Sequence, residues 1–386
     1  MQATQYDYIF LGAGCSSLSI VMRMINSKKF SEKRILLVDK ESKTKNDRTW
    51  CFWEKENDFF ESIVFRKWDH LSFKNDGQSI PLDIYPYQYK MIKGIDFYKH
   101  CLTCIQSQKN IDIISGNISF ENEGSLAKIK IDDEPILLNK EAIIFNSIYQ
   151  PGENQKGKFY LLQHFKGWVV ETPDDFFNTT EAVLMDFRVK QKSGTSFVYI
   201  LPLSSNKALV EYTLFTENIL TPPEYDIALR GYLKNYMGLD NYKIVDEEFG
   251  IIPMTNARFP GYKNQMYHIG TAGGQTKAST GYTFKFIQKQ ADQIVNDLSS
   301  GKTLKKNNFK NRFYFYDSTL LHILSKKLLE GKTIFSALFE KNKASTVLKF
   351  LDSETGISEE LKLLNTLPKK VFIKAGLKEF LKMILQ

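Results

Sequence analysis

The sequence predicts an α/β fold, a Rossmann-type unit interrupted by an antiparallel sheet and closed by a helical C-terminal region. Three observations predict it: a strand, glycine turn, helix and second strand at the N-terminus; alternating apolar segments in mid-chain; and a second glycine-dense strand–loop–helix far downstream. The chain has 386 residues, 42% hydrophobic and 25% charged, enough to bury a large core. That composition excludes disordered, collagen-like and disulfide-scaffold proteins.

Tyr6 to Leu11 reads as the first strand, Gly12-Ala13-Gly14 as a tight turn, Leu18 to Ile25 as a helix and Arg34 to Asp39 as the second strand. Gly12 and Gly14 let a phosphate approach the backbone at a helix N-terminus, and Asp39 at the strand end can accept from a ribose hydroxyl. Ser17 holds the third glycine position. Residues 41 to 100 read as loop-rich and aromatic, and strand patterns recur from 111 to 148. Ala182 to Val189, Ser196 to Leu203 and Ala208 to Phe215 alternate as a meandering antiparallel sheet, and 217 to 245 reads as a connector rich in Tyr and Pro. Met266 to Gly270 is a short strand before the segment bearing Gly270, Gly273, Gly274 and Gly281, and a helix follows from about Tyr282 to Leu298. The expected division is a nucleotide-binding part at 1–150, an antiparallel-sheet substrate part at 151–245, a second nucleotide-binding segment at 246–300 and a basic helical region at 301–386.

A nicotinamide domain alone has no use for the second glycine segment. A flavin protein does, because a late helix N-terminus and free backbone N–H groups stabilise negative charge on a reduced ring. FAD is therefore the expected cofactor.

Cys101 and Cys104 form a lone C-x-x-C in a predicted helix from about Asp96 to Gln108, where a packing role is expected. The five histidines show no ligand spacing, so no metal is expected. No run of eighteen apolar residues occurs, and the polar N-terminus lacks a secretion-signal pattern, so the expected location is the cytoplasm. Residues 302 to 386 carry 17 Lys and Arg against 8 Asp and Glu, while the rest of the chain is close to neutral. The lysines alternate with Phe372, Leu377, Phe380, Leu381 and Ile384 at helical spacing. That pattern suits an anionic membrane surface better than nucleic acid, with a solvated helix face as the other reading.

Several segments together resemble the bacterial lycopene cyclases, over roughly residues 5 to 300. They are Gly12-Ala13-Gly14, Asn46-Asp47-Arg48-Thr49-Trp50-Cys51-Phe52-Trp53-Glu54, Gln163-His164-Phe165-Lys166-Gly167-Trp168, Leu184-Met185-Asp186-Phe187-Arg188, Leu209-Val210-Glu211-Tyr212-Thr213 and Ile269 to Tyr282. Ser16-Ser17 stands where Ala-Gly is usual. Tyr212 fills the place of the second acid in the family's Glu-acid-Thr motif, so Glu211 and Thr213 alone carry over. The resemblance implies a redox-neutral isomerisation in which an acyclic end of lycopene or γ-carotene is protonated, closes and loses a ring proton to give a β-ring. It implies FAD working in its reduced form, with NAD(P)H as the usual reductant; with the basic tail, the expected location is peripheral on the inner face of the cytoplasmic membrane.

The residues agree with that chemistry. Leu209, Thr213 and Phe215 share a strand face with Glu211, so its carboxyl is expected in apolar surroundings that keep it protonated. Asp186 and Arg188 are expected to pair structurally. Trp50, Phe52 and Trp53 either present ring faces to a cation or are plain core. The competing readings are a flavin monooxygenase or dehydrogenase on an apolar polyene, against which Thr271 stands where an Asp is usual, and a non-catalytic carotenoid-binding protein.

Overall fold

The computed structural model describes residues 6–123, 126–136, 141–150, 158–192, 194–263, 265–304 and 311–385. The chain opens with β1 (Tyr8–Leu11), α1 (Cys15–Ser27) and β2 (Ile35–Asp39), as expected. The stretch read as loop-rich instead holds β3 (Thr49–Glu54), β4 (Arg66–Trp68), β5 (His70–Asn75), β6 (Gln78–Asp83) and β7 (Gln88–Lys93) before α2 (Gly94–Gln106). These strands are short and rich in aromatic and charged residues, so their two-residue period is blurred. Then come β8 (Ile111–Ser115), β9 (Ile118–Glu123), β10 (Leu126–Ile131), β11 (Glu134–Pro135) and β12 (Ile143–Asn146).

The long strands follow: β13 (Tyr160–Glu171), β14 (Glu181–Asp186), β15 (Thr195–Ser204) and β16 (Lys207–Thr216). The supposed connector is a helix, α3 (Pro222–Met237), begun by a capping box in which Thr221 and Glu224 serve each other's backbone and ended by Gly238 at φ 67. Prolines at its first turn, misread as loop signals, are where a helix tolerates them. After it run β17 (Lys243–Thr255), β18 (Tyr262–Lys263), β19 (Met266–His268), a 3-10 turn at Gly270–Gly273 and α4 (Phe284–Ser299). The C-terminal region is helical, with α5 (Asn311–Ser325), α6 (Gly331–Lys341), α7 (Ala344–Leu351), α8 (Ile357–Leu364) and α9 (Lys369–Ile384). Residues 305–310 of that expected region lie outside the described residues.

Two large sheets organise these elements. One has the order β18-β19-β12-β1-β2-β8, parallel except at β18. α1, α2 and α4 cover one side, burying Leu18, Val21, Phe97, Ile105, Phe284 and Ile287 in a single core. The other sheet has the order β17-β13-β16-β15-β14-β5-β6. It is not confined to 151–245, because β5 and β6 come from the N-terminal part and β17 runs past that boundary. Its faces alternate as the sequence pattern required. Val210, Tyr212 and Trp168 pack beneath α3, whereas Leu209, Phe215, Phe197 and Tyr199 join the core shared with the C-terminal helices and β7.

Asp186 and Arg188 pair structurally, as expected. The fully buried Asp186 carboxylate accepts from Arg188 Nε at 2.9 Å and from the Tyr232 hydroxyl at 2.5 Å, tying the end of β14 to α3. Asp186→Ala leaves the Tyr232 hydroxyl and the guanidinium without their acceptor, so the urea midpoint should fall by an amount equivalent to about 3 kcal/mol. A loss below ~0.5 kcal/mol would show that this anchor contributes nothing.

Candidate functional site

The two glycine segments meet. Gly12 takes φ +89, and a Cβ there would lie 2.4 Å from Ser147 Oγ, whose hydroxyl donates to the Leu11 and Gly12 carbonyls. Gly14 caps α1 with no side-chain hydrogen bond and has no atom within 4 Å of where a Cβ would stand. The helix N-terminus is thus bare backbone facing open space, which is what a pyrophosphate needs. Gly270, at φ +59, lies so close to α1 that its Cβ would stand 2.9 Å from Ser16 Cβ.

Asp39 has a prior duty, accepting from the Ala13 N–H at 2.6 Å and the Glu41 N–H at 2.8 Å, so it shapes the turn. The buried oxygens Ser16 Oγ, Thr280 Oγ1 and Gln163 Oε1 have no partner of their own. They flank Gly270 and Gly281, and a Cβ on Gly281 would strike Gln163 Oε1 at 2.2 Å. Open space at Gly14, an uncapped helix start and orphaned oxygens along the second segment fit an elongated polar dinucleotide.

Glu211 lies on β16 in a row that crosses four strands. Tyr199 of β15 stands opposite it on one side and Gly167 of β13 on the other, and Gly167 in turn faces Glu248 of β17. Residues level with one another on neighbouring strands project to the same face, so Glu248, Gly167, Glu211 and Tyr199 share the apolar side of the sheet. Neighbouring strands lie ~4.8 Å apart, which separates the two glutamate backbones by about 10 Å. Their carboxyls meet over Gly167, where a Cβ would lie 2.9 Å from both Glu248 Cγ and Leu209 Cδ1.

The two carboxyls hydrogen-bond to each other. A threonine hydroxyl fixes each one: Thr213 donates to Glu211 Oε1 at 2.6 Å and Thr49 to Glu248 Oε2 at 2.6 Å. Burial, then the charge of Glu248, pushes Glu211 well above the usual carboxylate range. Burial also raises Glu248, opposed by its hydrogen bonds from Thr49 and Glu211. The shared proton therefore rests on Glu211. A cavity of about 550 Å3 opens beside Glu248, Thr49, Met91, Val169 and Leu209.

The aromatic segment divides. On β3, Thr49 turns toward the carboxyls, and Trp53, two positions beyond Cys51, meets Tyr282 edge-on at 4.8 Å. Trp50 and Phe52 point the other way: Phe52 stacks on Phe284 at 4.4 Å and Trp50 packs against Phe97, within the nucleotide-side core. Trp53 alone of the three is therefore on the face of the carboxyls. Thr213 is fully buried and serves as a holder of Glu211. Sequence reasoning missed Glu248 because it lies in a run of three acids, Asp246-Glu247-Glu248, that reads as solvated. The signal that finds it is its register with Gly167. His164 belongs to the opposite face, between Thr216 and Tyr225, and burial lowers it to about 4.

A carboxyl that binds its proton more tightly folded than unfolded stabilises the fold most below its ordinary value of 4.5, and that contribution is lost as pH rises through the folded value. Glu211→Gln removes this dependence. The variant should gain on the parent between pH 5 and pH 8, by up to about 1.4 kcal/mol per pH unit. Parallel urea-midpoint profiles for the two proteins would contradict a protonated Glu211.

Comparison with known proteins identifies the family. The lycopene cyclase protein family matches residues 7–375. The chain is 23% identical over 305 residues to the lycopene beta-cyclase of Pantoea ananas, covering 75% of this chain and 74% of that one. It is 22% identical over 320 residues to the lycopene beta-cyclase of Pseudescherichia vulneris, covering 76% and 75%. In fold it is similar to a geranylgeranyl bacteriochlorophyll reductase-like protein of Thermoplasma acidophilum, at TM-score 0.58 and 12% identity, covering 97% of this chain and 96% of that one. It is also similar to a flavin-dependent brominase, at TM-score 0.56 and 11% identity, covering 97% and 94%. The chain belongs to the lycopene cyclase family.

Proposed function

We propose that this member of the lycopene cyclase family is a lycopene beta-cyclase, closing the acyclic ends of lycopene or γ-carotene to β-rings by acid catalysis without net redox change. The observation that carries this reading is Glu211, a carboxyl held protonated on the apolar face of the sheet and paired with Glu248, which lines a cavity. Protonating an alkene needs a neutral acid in water-poor surroundings, and water admitted there would capture the cation. Glu211 delivers the proton, Thr213 fixes its orientation, and Trp53 presents a ring on the same face to developing positive charge.

Gly12, Gly14 and Asp39 would hold the adenosine diphosphate half of FAD, and Gly270, Gly273, Gly274 and Gly281 would approach its flavin half. Bound and reduced, with NAD(P)H as electron source, the cofactor would supply negative charge that stabilises a carbocation. An oxidoreductase on the same fold would instead consume nicotinamide with each turnover.

The substrate is a polyene dissolved in a bilayer, and no helix among the described residues is long and apolar enough to cross one. α9 supports peripheral attachment. It turns Ala375, Gly376 and Glu379 inward and exposes Ile373, Leu377, Phe380, Leu381 and Ile384, each more than half accessible. Lys369, Lys370, Lys374, Lys378 and Lys382 flank this face. Ile357 and Leu361 of α8 extend the patch, the composition that an anionic membrane surface takes up.

In a lycopene-accumulating cell the chain should yield β-ringed pigment, and Glu211→Gln, isosteric but unable to act as the acid, should retain FAD and form no ring. In deuterated water each ring should carry one solvent deuteron. Unchanged lycopene beside folded flavoprotein, or nicotinamide consumed in step with product, would defeat the reading.

Attachment is measured by co-sedimentation with vesicles containing phosphatidylglycerol. It should weaken with salt, since each lysine near the surface contributes ~1 kcal/mol. Replacing both Ile373 and Leu377 by Glu should abolish it. Binding indifferent to salt and to that double variant would exclude α9 as the attachment face.

A further inference from the structure

We infer that Glu248 is the second carboxyl of the reaction: it faces Glu211 over the bare Gly167, shares its proton, and takes up the proton that the closing ring gives off. This rests on the cyclase reading above. Nothing else in the row explains why two glutamates should be brought together in an apolar core. Each has one oxygen fixed by a threonine, Thr213 for Glu211 and Thr49 for Glu248, which leaves the other oxygen of each for the shared proton. Glu248, not Glu211, lines the 550 Å3 cavity with Thr49, Met91 and Leu209.

The two carboxyls suit a reaction whose proton enters at one carbon and leaves from another. The Glu211 O–H bond breaks as a C–H bond forms at the polyene end. The resulting cation closes by forming one ring C–C bond. A C–H bond beside the cation then breaks, its electron pair becoming the ring double bond and its proton passing to the Glu248 carboxylate. Transfer along the pair, with exchange against solvent between turnovers, returns a proton to Glu211. One proton enters and one leaves, and neither oxidant nor reductant is needed.

The neighbours do not compete for that proton. Cys51 on β3, Tyr89 on β7, Tyr199 on β15 and Tyr282 after the glycine segment surround the pair, and burial pushes all four upward, so they stay neutral. Asp246 lies two residues before Glu248 and raises it, and Glu171, Glu247, Lys93 and Lys207 also stand on the cavity wall.

The test is Glu248→Gln in the FAD-loaded protein, with Glu248→Asp as the conservative control. Glu248→Gln should keep its FAD, lose roughly 100-fold or more in ring formation, and place part of the residual ring double bond outside the β position. Glu248→Asp should restore part of the rate and the β-ring. Removing the negative neighbour lowers the affinity of Glu211 for its proton, so the alkaline limb of the pH–rate profile should move to lower pH in Glu248→Gln.

The infrared carbonyl band of a protonated carboxyl reads the same shift without substrate. The Glu211 band, assigned by the difference between the parent and Glu211→Gln because Glu248 and Asp352 are also raised by burial, should titrate away at lower pH in Glu248→Gln than in the parent. Parent-like rate, product and pH limb in Glu248→Gln would overturn the proposal, and so would an unshifted infrared titration. If the parent itself forms no ring, the cyclase reading and the base role fall together, while the infrared titration separately decides whether the carboxyls share a proton.

Discussion

Placing two carboxyls in an apolar core is the constraint on which the rest of this structure depends. One buried carboxylate costs several kcal/mol to desolvate, and two ionised together cost more. The arrangement is tolerable only if the pair holds a proton and each remaining oxygen finds a donor. The long strands β13, β16 and β17 meet the first condition by fixing the register that puts Glu211 and Glu248 on either side of Gly167. Thr213 and Thr49 meet the second. The glycine is required by space rather than by backbone conformation, because any side chain at 167 would occupy the place where the carboxyls meet.

β3 ties this pair to the core of the six-stranded sheet. Thr49 and Trp53 lie on the carboxyl face, while Trp50 and Phe52 face α2 and α4. A single strand thus has one face in each core, and a shift of one residue would exchange them. A buried network reinforces the seam: Lys90 of β7 pairs with Glu54 at 3.1 Å, and Lys285 of α4 reaches the same carboxylate at 2.7 Å. Orientation between the glycine segments and Glu211 is therefore set by packed side chains as well as by loops.

Much of this was legible in the sequence. The βαβ opening, the second glycine segment and the antiparallel strands follow from periodicity and turn residues, and Glu211 follows from the family resemblance, with its apolar neighbours two positions away in agreement. The β5 and β6 hairpin did not show, because its residues alternate charged and apolar positions too irregularly, and its place beside β14 is a long-range pairing that no local pattern encodes. α3 was hidden by prolines that begin a helix as readily as they break one. Glu248 was invisible for a related reason, since its partner lies two strands away in space. Tyr212, which stands where the family motif has a second acid, lies beneath α3 on the opposite face from Glu211. The strand's two-residue period means that an acid at 212 would not face Glu211, so the departure at that position leaves the carboxyl pair intact.

The outer surface of α9 obeys a different rule. A helix that closes a soluble fold normally turns its large apolar residues inward, yet here the inward positions include Ala375 and Glu379, the latter accepting from His322 at 2.6 Å and Lys382 at 2.7 Å. The small residues let α9 lie close against α5, and the buried Glu379 fixes its rotation about its own axis. With that rotation fixed, Ile373, Leu377, Phe380 and Ile384 have no way to turn inward, and each leaves apolar area in water at a cost of ~25 cal/mol per Å2. A cost imposed by a buried, hydrogen-bonded carboxyl is structural rather than accidental, and an apolar phase is what removes it. The lysines beside that face carry the charge that draws such a phase when its surface is anionic.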